Sequence, residues 1–411
     1  MKLVLTGILF FCLAATSTAQ EVLIKQLISR NTGTKVLADG SSIRVAGFAE
    51  ALGAQPDAPG PTLYFTEGDS INLELFNLSQ GPPHTIHLHG LDVDQQNDGV
   101  PHLSFELAHR ETGNYYFVAP HSGSYLYHCH VVSTIHVQAG MYGMLIVRPK
   151  DEKTAWTDGP AFDKEFAFLT SEIDVDWHTD SVLLHPYSDT GKVVVEIPEY
   201  NPTHFLINGA ANQQLAQNNI YVDMAVDKIG LIRLANIGFL GNQIIFPASL
   251  NAEVISSDGR PLPSFEKTDT LMIFPGERYQ VLIKPTSIFT DSISFNYINM
   301  NTLSLDGVQK LRVDIAKTSS VNELNEAVGF DVYPNPSQTV VHVSLGAYKT
   351  KPILIDVIDA QGRNVFAYSI KDDLHNNELI LNLDLMSGIY YIKATFDDGS
   401  FAIEKLMMGR E

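Results

Sequence analysis

Cysteine is scarce in this chain, with two residues among 411. Cys12 lies in the apolar run Leu3–Ala15, which follows a lysine, is too short to span a bilayer, and ends in small residues. That order is typical of a secretory signal peptide, so we expect residues 1–19 to be removed and the exported chain to begin at Gln20. Cys129 then remains alone, which excludes an internal disulfide. An oxidising compartment tolerates such a thiol when it is inert, reactive or bound to a metal.

Basic residues are also few. The 27 Lys and Arg residues against 47 Asp and Glu give a formal net charge of -20 at pH 7, and no long basic run offsets it. Such a surface repels phosphate backbones and anionic lipid, so we predict no nucleic-acid partner and no adhesion to a membrane surface. Small neutral or cationic substrates fit this charge better.

Tandem repeats, low-complexity tracts and convincing amphipathic helices are absent from the sequence. Short apolar segments alternate with turns rich in Gly, Pro and Asp, which predicts an all-β protein. We expect β-domains at residues 20–150 and 151–316, a linker at 317–329 and a small β-sandwich at 330–411. The candidate strands are Ile71–Phe76, Tyr125–Tyr127, Val193–Ile197, Leu231–Ala235, Ile244–Phe246, Tyr279–Ile283, Val340–Leu345, Ile353–Val357, Leu379–Leu383 and Ile389–Phe396.

Histidine is concentrated in one part of the chain: nine of the fourteen lie from His84 to His136. His87 and His89 are two positions apart in a predicted strand and therefore share one face, from which both imidazoles can reach one metal centre.

The tripeptide His128, Cys129, His130 follows the same period. The two histidines share one face of a strand and the cysteine points to the other, so one strand can serve two metal sites on opposite sides. A thiolate, two imidazoles and a weak thioether make the ligand set of a blue-copper site. That set is available in Cys129, His84, His136 and Met141.

Copper is favoured over zinc, because one cysteine with many histidines matches neither a cysteine-rich structural zinc site nor a standard finger. Met144 is a competing thioether, but the spacing from His136 favours Met141. Most histidines in proteins are hydrogen-bonded or exposed without a metal. We expect this of the remaining ones, which are His102, His109, His121, His178, His185, His204, His342 and His375.

The motifs around these residues resemble those of the multicopper oxidase family. They are Pro59-Gly-Pro-Thr62, Glu67-Gly-Asp69, Asn97-Asp98-Gly99-Val-Pro101, Tyr125-Leu-Tyr-His-Cys-His130 and Gly140-Met-Tyr-Gly-Met-Leu-Ile-Val147. The resemblance implies a cupredoxin-like Greek-key β-barrel with type 1 copper and a type 2 and type 3 copper cluster. It also implies a laccase-like oxidase that couples one-electron oxidation of a small-molecule or metal-ion reductant to the reduction of dioxygen to water.

The resemblance further assigns roles residue by residue. It makes His84, Cys129, His136 and Met141 the type 1 ligands. It gives His87 to the type 2 copper, and His89, His128 and His130 to the type 3 pair. Asp98 resembles the acidic residue that relays protons near the cluster, although an Asp-Gly pair is also an ordinary turn signal.

The second domain resembles the copper-free middle domain of this family, through Phe205-Leu-Ile-Asn-Gly209 and Phe274-Pro-Gly-Glu-Arg-Tyr279. A complete cluster in the family takes eight histidines from two copper-lining domains, whereas this chain has one such domain and four candidates. A two-fold interface presents the same patch twice. We therefore expect a homo-oligomer in which a second chain completes the cluster.

Two alternatives stay open. His136 lies seven positions after Cys129, where the family usually places this ligand five after, and the longer loop resembles copper nitrite reductases. Those enzymes, however, carry an aspartate at the position of His87 and a non-ligand residue at that of His130. The other alternative is a non-catalytic blue-copper protein that binds copper or carries electrons.

The C-terminal region resembles the sorting domain of the type IX secretion system found in Bacteroidetes. The motifs are Phe330-Asp-Val-Tyr-Pro-Asn-Pro336, Asp359-Ala-Gln-Gly362 and Ser387-Gly-Ile-Tyr390. The resemblance implies a small Ig-like β-sandwich, contact with that secretion machinery and export across the outer membrane. We therefore expect a secreted or cell-surface protein, with a generic adhesive β-sandwich as the alternative for this domain.

Overall fold

A computed structural model of the chain describes residues 22–184, 196–317, 330–344, 352–359, 363–370, 378–396 and 401–409. Several predictions fall outside these ranges: the signal segment, nearly all of the linker, the turn at 360–362, Cys12, His185 and His375. Contacts divide the chain between Thr318 and Ser319 into two compact units. Among the described residues, no helix has both the length and the apolar character that a membrane crossing requires.

The first unit begins with a sandwich at residues 22–148, here called the first sandwich. Its strands are β1 (Val22–Val36), β2 (Ser42–Ala49), β3 (Leu63–Thr66), β4 (Ser70–Asn77), β5 (His87–His89), β6 (Thr112–Val118), β7 (Gly123–His128) and β8 (Tyr142–Arg148), and its helix is α1 (Ser133–Ala139). One sheet has the order β2-β1-β4-β6 and the other the order β3-β8-β7-β5. In β4 every second residue faces the core, namely Ile71, Leu73 and Leu75.

Strands β7 and β8 are buried on both faces. One face packs into the core of the first sandwich, and the other packs against the second sandwich in an apolar cluster that includes Leu126, Met144, Leu169 and Ala235. The fold therefore holds β7 between two apolar layers.

The second sandwich follows at residues 164–316. Its strands are β9 (Lys164–Ile173), β10 (His204–Ile207), β11 (Val222–Ala225), β12 (Gly230–Asn236), β13 (Gly241–Ile245), β14 (Glu253–Ser257), β15 (Arg260–Lys267), β16 (Thr270–Ile273), β17 (Arg278–Ile283), β18 (Phe289–Ile298) and β19 (Leu305–Ala316). Its helices are α2 (Asp180–Leu183) and α3 (Gln213–Gln217), with short 3-10 helices at Val175–His178 and Ala248–Leu250. The sheets have the orders β10-β9-β12-β17-β14-β15 and β11-β19-β18-β13-β16.

The second unit is a smaller sandwich. Its described strands are β20 (Asp331–Tyr333), β21 (Val340–Ser344), β22 (Pro352–Asp359), β23 (Asn364–Ser369), β24 (Glu378–Asn382), β25 (Gly388–Phe396) and β26 (Phe401–Met408). They form sheets of order β20-β21-β24 and β23-β22-β25-β26. Alternate residues such as Val341, Val343, Ile355 and Val357 fill its core.

The prediction of an all-β fold is confirmed, with two differences in detail. The sequence predicts no helix, whereas α1, α2 and α3 are present as short helices. The strand predicted at Val193–Ile197 is wrong at its end, because Glu196 and Ile197 are exposed and lie outside any described strand; its first three residues fall outside the described ranges.

Candidate metal centres

Strand β7 separates two groups of side chains. Tyr125 and Tyr127 face the core of the first sandwich, and Cys129 packs into the same core directly after the strand ends. The residues between them point the other way: Leu126 belongs to the apolar cluster shared with the second sandwich. His128 shares the face of Leu126, because side chains alternate along a strand.

The first group has Cys129 at its centre. The Cys129 Sγ atom lies 3.1 Å from Nδ1 of His136 and 3.7 Å from Nδ1 of His84. All three side chains are buried. They come from different parts of the fold: His84 pairs by backbone with Leu107, and His136 lies on α1.

Met141 is tied to this group through its backbone. Its N–H donates to the carbonyl of His136 at 2.9 Å, and its carbonyl accepts from the N–H of Cys129 at 3.0 Å. The Met141 side chain is fully buried in the same core as Cys129, whereas Met144 packs into the cluster between the two sandwiches. The fold thus separates the two competing methionines.

The second group consists of imidazoles from β5 and β7. Register pairs His87 with His128 across these strands, and ring nitrogens of His87, His89 and His128 lie within 4.8 Å of one another. His89 Nδ1 is 3.3 Å from His128 Nε2. The ring of His130 lies with its centroid 5.1 Å from that of His87, so all four predicted cluster histidines are brought together.

Hydrogen bonds fix which nitrogen of two imidazoles can bind a metal. His128 Nδ1 donates to the Cys129 carbonyl at 3.0 Å, so Nε2, which faces His89, is the nitrogen that can accept a metal. His87 Nδ1 lies 2.7 Å from the Asp98 carbonyl and 3.2 Å from its carboxylate Oδ1, both of which are acceptors. Nδ1 of His87 therefore carries the hydrogen, and Nε2 is the nitrogen that could bind a metal.

Gly99 explains how Asp98 reaches His87. Gly99 has φ +70°, and a Cβ at this position would lie only 1.8 Å from the carbonyl oxygen of Ile86. A residue with a side chain could not approach β5 so closely. The Asp-Gly pair is thus a turn that also places a carboxylate beside the histidine cluster.

Burial sets the protonation of these groups. Desolvation lowers the pKa of His128 to about 3, and desolvation together with the nearby Arg278 guanidinium lowers the pKa of His89 to about 4. Desolvation also lowers the pKa of His130. These imidazoles are neutral at pH 7, which is the form that binds metals. Burial raises the pKa of the Cys129 thiol to about 11, so a bound metal must displace its proton.

The second sandwich contributes neighbours that sequence reasoning missed. Arg278, at the start of β17, donates to the Gly276 carbonyl at 2.6 Å and pairs with Asp258 at 3.0 Å. Its guanidinium sits over Gly90, where an added Cβ would lie 2.0 Å from Nη2. A Cβ on Gly276 would lie 3.3 Å from Nε2 of His89. The motif Phe274–Tyr279 is visible in the sequence, but its position beside β5 is not.

The other described histidines lie apart from both groups. His102 is exposed, His109 contacts the Ser79 carbonyl, and His121 contacts Asp92 and Tyr125. In the second sandwich, His178 donates to the Arg44 carbonyl and His204 contacts Asp39. His342 of the second unit contacts Glu378.

The donors fit copper. A buried thiol within 4 Å of two imidazole nitrogens, with a thioether in the same core, is the set that blue-copper sites use. The second group offers imidazoles alone, and these also suit copper.

Comparison with protein families gives the decisive observation. Residues 41–152 and residues 175–304 both match multicopper oxidase family models, and together these matches cover more than half of the chain. The chain belongs to the multicopper oxidase family. Copper is the metal of this family, as the donor sets indicate. Residues 331–408 match the secretion system C-terminal sorting domain, which indicates export to the cell surface or beyond it.

Curated relatives include two kinds of copper enzyme. A copper-containing nitrite reductase of Neisseria meningitidis is 32% identical over 146 residues, which is 35% of each chain. An L-ascorbate oxidase of Cucumis sativus is 28% identical over 254 residues, which is 56% of this multicopper oxidase and 41% of the relative. The matches thus span well under half of the length of these relatives.

A solved structure shows the same fold. The blue copper oxidase of Nitrosomonas europaea superposes with a TM-score of 0.56 at 23% identity, covering 72% of this chain and 86% of that one. The similarity supports the cupredoxin fold of the two sandwiches in the first unit.

Proposed function

We propose that the protein is a secreted, laccase-like multicopper oxidase that takes single electrons from a reductant and reduces dioxygen to water. One observation carries the proposal: a thiol-centred group and a four-imidazole group are joined by consecutive residues, His128 at the end of β7 and Cys129 directly after it. In this proposal His84, Cys129, His136 and Met141 hold type 1 copper, and His87, His89, His128 and His130 hold copper of the cluster. Copper bound there supplies one-electron redox chemistry and the binding of dioxygen.

The chain itself provides the connection between the two groups. His128 and Cys129 share a peptide bond, and the His128 Nδ1 hydrogen bond to the Cys129 carbonyl adds a second link at 3.0 Å. Both links lie in a buried, low-dielectric part of the molecule. Rigid surroundings of this kind keep the ligand geometry fixed while the charge at each site changes.

Asp98 is proposed to handle protons. Its carboxylate lies 3.2 Å from His87 Nδ1, and the Asp98 side chain is 27% exposed, so it contacts both the cluster and solvent. Reduction of dioxygen to water consumes protons, and a carboxylate in this position can deliver them to the cluster face.

A second copy of the chain is proposed to complete the cluster. The described histidines of the second sandwich, His178 and His204, are held by contacts elsewhere. His87 and His130 are partly exposed, so their face of the cluster is open to a partner. A two-fold contact through this face would bring four further imidazoles.

Nitrite reduction is a second candidate that a specific observation favours. His87, His89 and His128 form a compact group by themselves, and several curated relatives are copper-containing nitrite reductases. His130 beside His87 favours the oxidase, because a three-imidazole site has no use for a fourth ring at this position.

The experiment that separates these candidates measures metal content and turnover together. The purified protein is loaded with Cu(II), its copper is counted by elemental analysis and electron paramagnetic resonance, and its assembly is followed by analytical ultracentrifugation during the titration. Oxygen uptake with a phenolic or metal-ion reductant is compared with nitrite consumption by a reduced dye. We expect blue absorption, copper beyond the single type 1 ion, copper-dependent association and oxygen uptake.

A matched pair of variants localises the activity. His87→Ala removes a proposed cluster ligand, so oxygen uptake should be lost while the blue absorption stays. His102→Asn is the control, because His102 is exposed and has φ +74°, a conformation that asparagine tolerates. Blue copper without uptake of oxygen or nitrite in the native protein would refute both enzymes and leave a non-catalytic copper protein. A strict monomer with full oxygen uptake would refute the shared cluster.

A further inference from the structure

A segment of the second sandwich lies over the type 1 group. This segment, residues 174–184, is called the cover; it contains the 3-10 helix Val175–His178 and helix α2, and both contact α1. His136 on α1 is only 2% exposed. Leu183 of the cover is buried and packs into the same core as Cys129 and Met141, although it belongs to the other sandwich.

Three contacts fasten the cover to the first sandwich. The buried Gln138 side chain, two residues beyond His136, accepts from the N–H of Asp174 at 2.9 Å and donates to the Glu172 carbonyl at 3.2 Å. His178 Nδ1 donates to the Arg44 carbonyl at 2.6 Å. The Arg44 guanidinium in turn forms an ion pair with Asp180.

Aromatic side chains of the second sandwich pack against the cover and hold it in place. Trp177 contacts Tyr200 at a ring distance of 5.3 Å, and Tyr200 contacts Phe239 at 5.2 Å. Trp177 Nε1 donates to the Pro198 carbonyl at 3.1 Å. The cover is therefore a packed part of the fold, and a reductant cannot reach the His136 ring without displacing it.

The outer side of the cover is acidic. Asp176 and Asp180 are exposed, and residues 174–184 contain no lysine or arginine; Arg44 offsets the charge of Asp180, so Asp176 supplies the uncompensated charge of this surface. The formal charge of the whole chain is -20. A surface of this sign raises the local concentration of cations and repels anions.

We propose that the cover selects the electron donor of this protein. It excludes reductants that must touch the His136 ring, such as phenols, and it favours cationic one-electron donors that act across the cover from its acidic side. The inference rests on the proposed type 1 site. The donor loses one electron and type 1 Cu(II) gains it; no bond forms or breaks and no proton moves.

The first test uses the copper-free protein, produced from Gln20 onward so that Cys129 is the only cysteine. The rate at which Cys129 reacts with an aromatic disulfide reagent reports access through the cover. The double variant Gln138→Ala, Asp180→Ala removes two of the three contacts that hold the cover, and we expect the reaction rate of Cys129 to rise at least tenfold. Asp176→Ala is the matched control, since Asp176 is exposed on the cover and its side chain makes no fastening contact described above. Equal rates in all three proteins would overturn the inference.

The second test uses the copper-loaded protein without oxygen. Bleaching of the blue absorption is followed by stopped flow with hexaammineruthenium(II), with hexacyanoferrate(II) and with a phenol. We expect the cationic complex to be fastest, its rate to fall with ionic strength, and the phenol rate to rise at least tenfold in the double variant alone. A phenol that reduces the native protein as fast as the double variant would contradict the inference.

The two proposals fail in different ways. Absence of a blue band would refute the type 1 site, while the thiol assay would still report whether the cover shields Cys129. If the cationic complex bleaches the blue absorption as expected but the protein takes up no oxygen, the proposed oxidase activity would be refuted, and the proposal that the cover selects the donor would be supported.

Discussion

Replacement of Gly99 by alanine tests how the turn after β5 supports the histidine cluster. Gly99 has φ +70°, and an added Cβ would lie 1.8 Å from the Ile86 carbonyl oxygen and 2.8 Å from the His87 nitrogen. Both contacts are with backbone, which has no flexible end that can move aside. The alanine must therefore push the Asp98 turn away from His87.

The cost has two parts. A residue with a Cβ in the left-handed region loses about 1–2 kcal/mol, and overpacking against a fixed neighbour adds about 1–3 kcal/mol. Gly40→Ala isolates the first part, because Gly40 has φ +87° and open space around it. We expect Gly99→Ala to lower the free energy of unfolding by about 1–3 kcal/mol more than Gly40→Ala does.

The assay is urea denaturation of both copper-free variants, followed by far-UV circular dichroism. After copper loading, Gly99→Ala should also lose cluster copper by electron paramagnetic resonance while it keeps its blue band. Equal stability of the two variants, with full copper in both, would show that the turn does not hold the cluster in place.

Three further predictions concern single side chains. Cys129→Ser should abolish the blue absorption and oxygen uptake while the far-UV spectrum stays unchanged. Arg278→Met removes the positive charge beside His89, which repels a metal cation as it repels a proton, so the cluster should bind copper about tenfold more tightly with the blue band retained, as measured by copper titration. The pKa of Glu172 is raised to about 7 by burial, from 4.5. Its protonated form therefore stabilises the fold at acid pH, and this contribution is lost as the pH rises from 4.5 through about 7. The free energy of unfolding of Glu172→Gln, measured by urea denaturation, should therefore rise relative to that of the native chain by about 3 kcal/mol when the pH is raised from 5 to 8.

Each of these predictions has its own contrary result. A blue band in Cys129→Ser would place the type 1 site elsewhere. Arg260→Met is the control for Arg278→Met, because Arg260 is exposed and pairs with Asp92; equal copper affinity in the two variants would remove the role of Arg278. Parallel pH profiles for the native chain and Glu172→Gln would show that this carboxyl group does not titrate between folded and unfolded states.

The placement of His87, His89 and His128 on neighbouring strands could be predicted from sequence, because a strand has a period of two. The strand predicted through Cys129 and His130 is too long, since β7 ends at His128. The approach of His84 to Cys129 could be predicted only from the ligand set of a blue-copper site and from family resemblance, since these residues are far apart in the chain. The local structure around His136 could not be predicted from the sequence. It lies on the seven-residue helix α1, which is too short to show a helical period in the sequence.

Contacts between the two sandwiches could not be predicted. Arg278 and Leu183 lie about 190 and 50 residues from the ligands they approach, and no local pattern relates such distant positions. The local sequence around each residue gives no sign of these contacts, since Arg278 begins a strand and Leu183 ends a four-residue helix. Their neighbours become evident only when β17 and α2 are placed against the first sandwich.

The peptide bond between His128 and Cys129 limits how the rate of electron transfer between the two candidate metal groups can be changed. Because the two metal groups are attached to neighbouring residues, the path between them has the same length in every conformation that keeps the strand. In the proposed oxidase, natural variation or engineering would therefore change the speed of electron transfer through its driving force and reorganisation energy, by altering the dielectric surroundings and hydrogen bonds of each ligand. The longer loop between Cys129 and His136 changes the segment that carries one candidate ligand and leaves the covalent path from His128 to Cys129 unchanged.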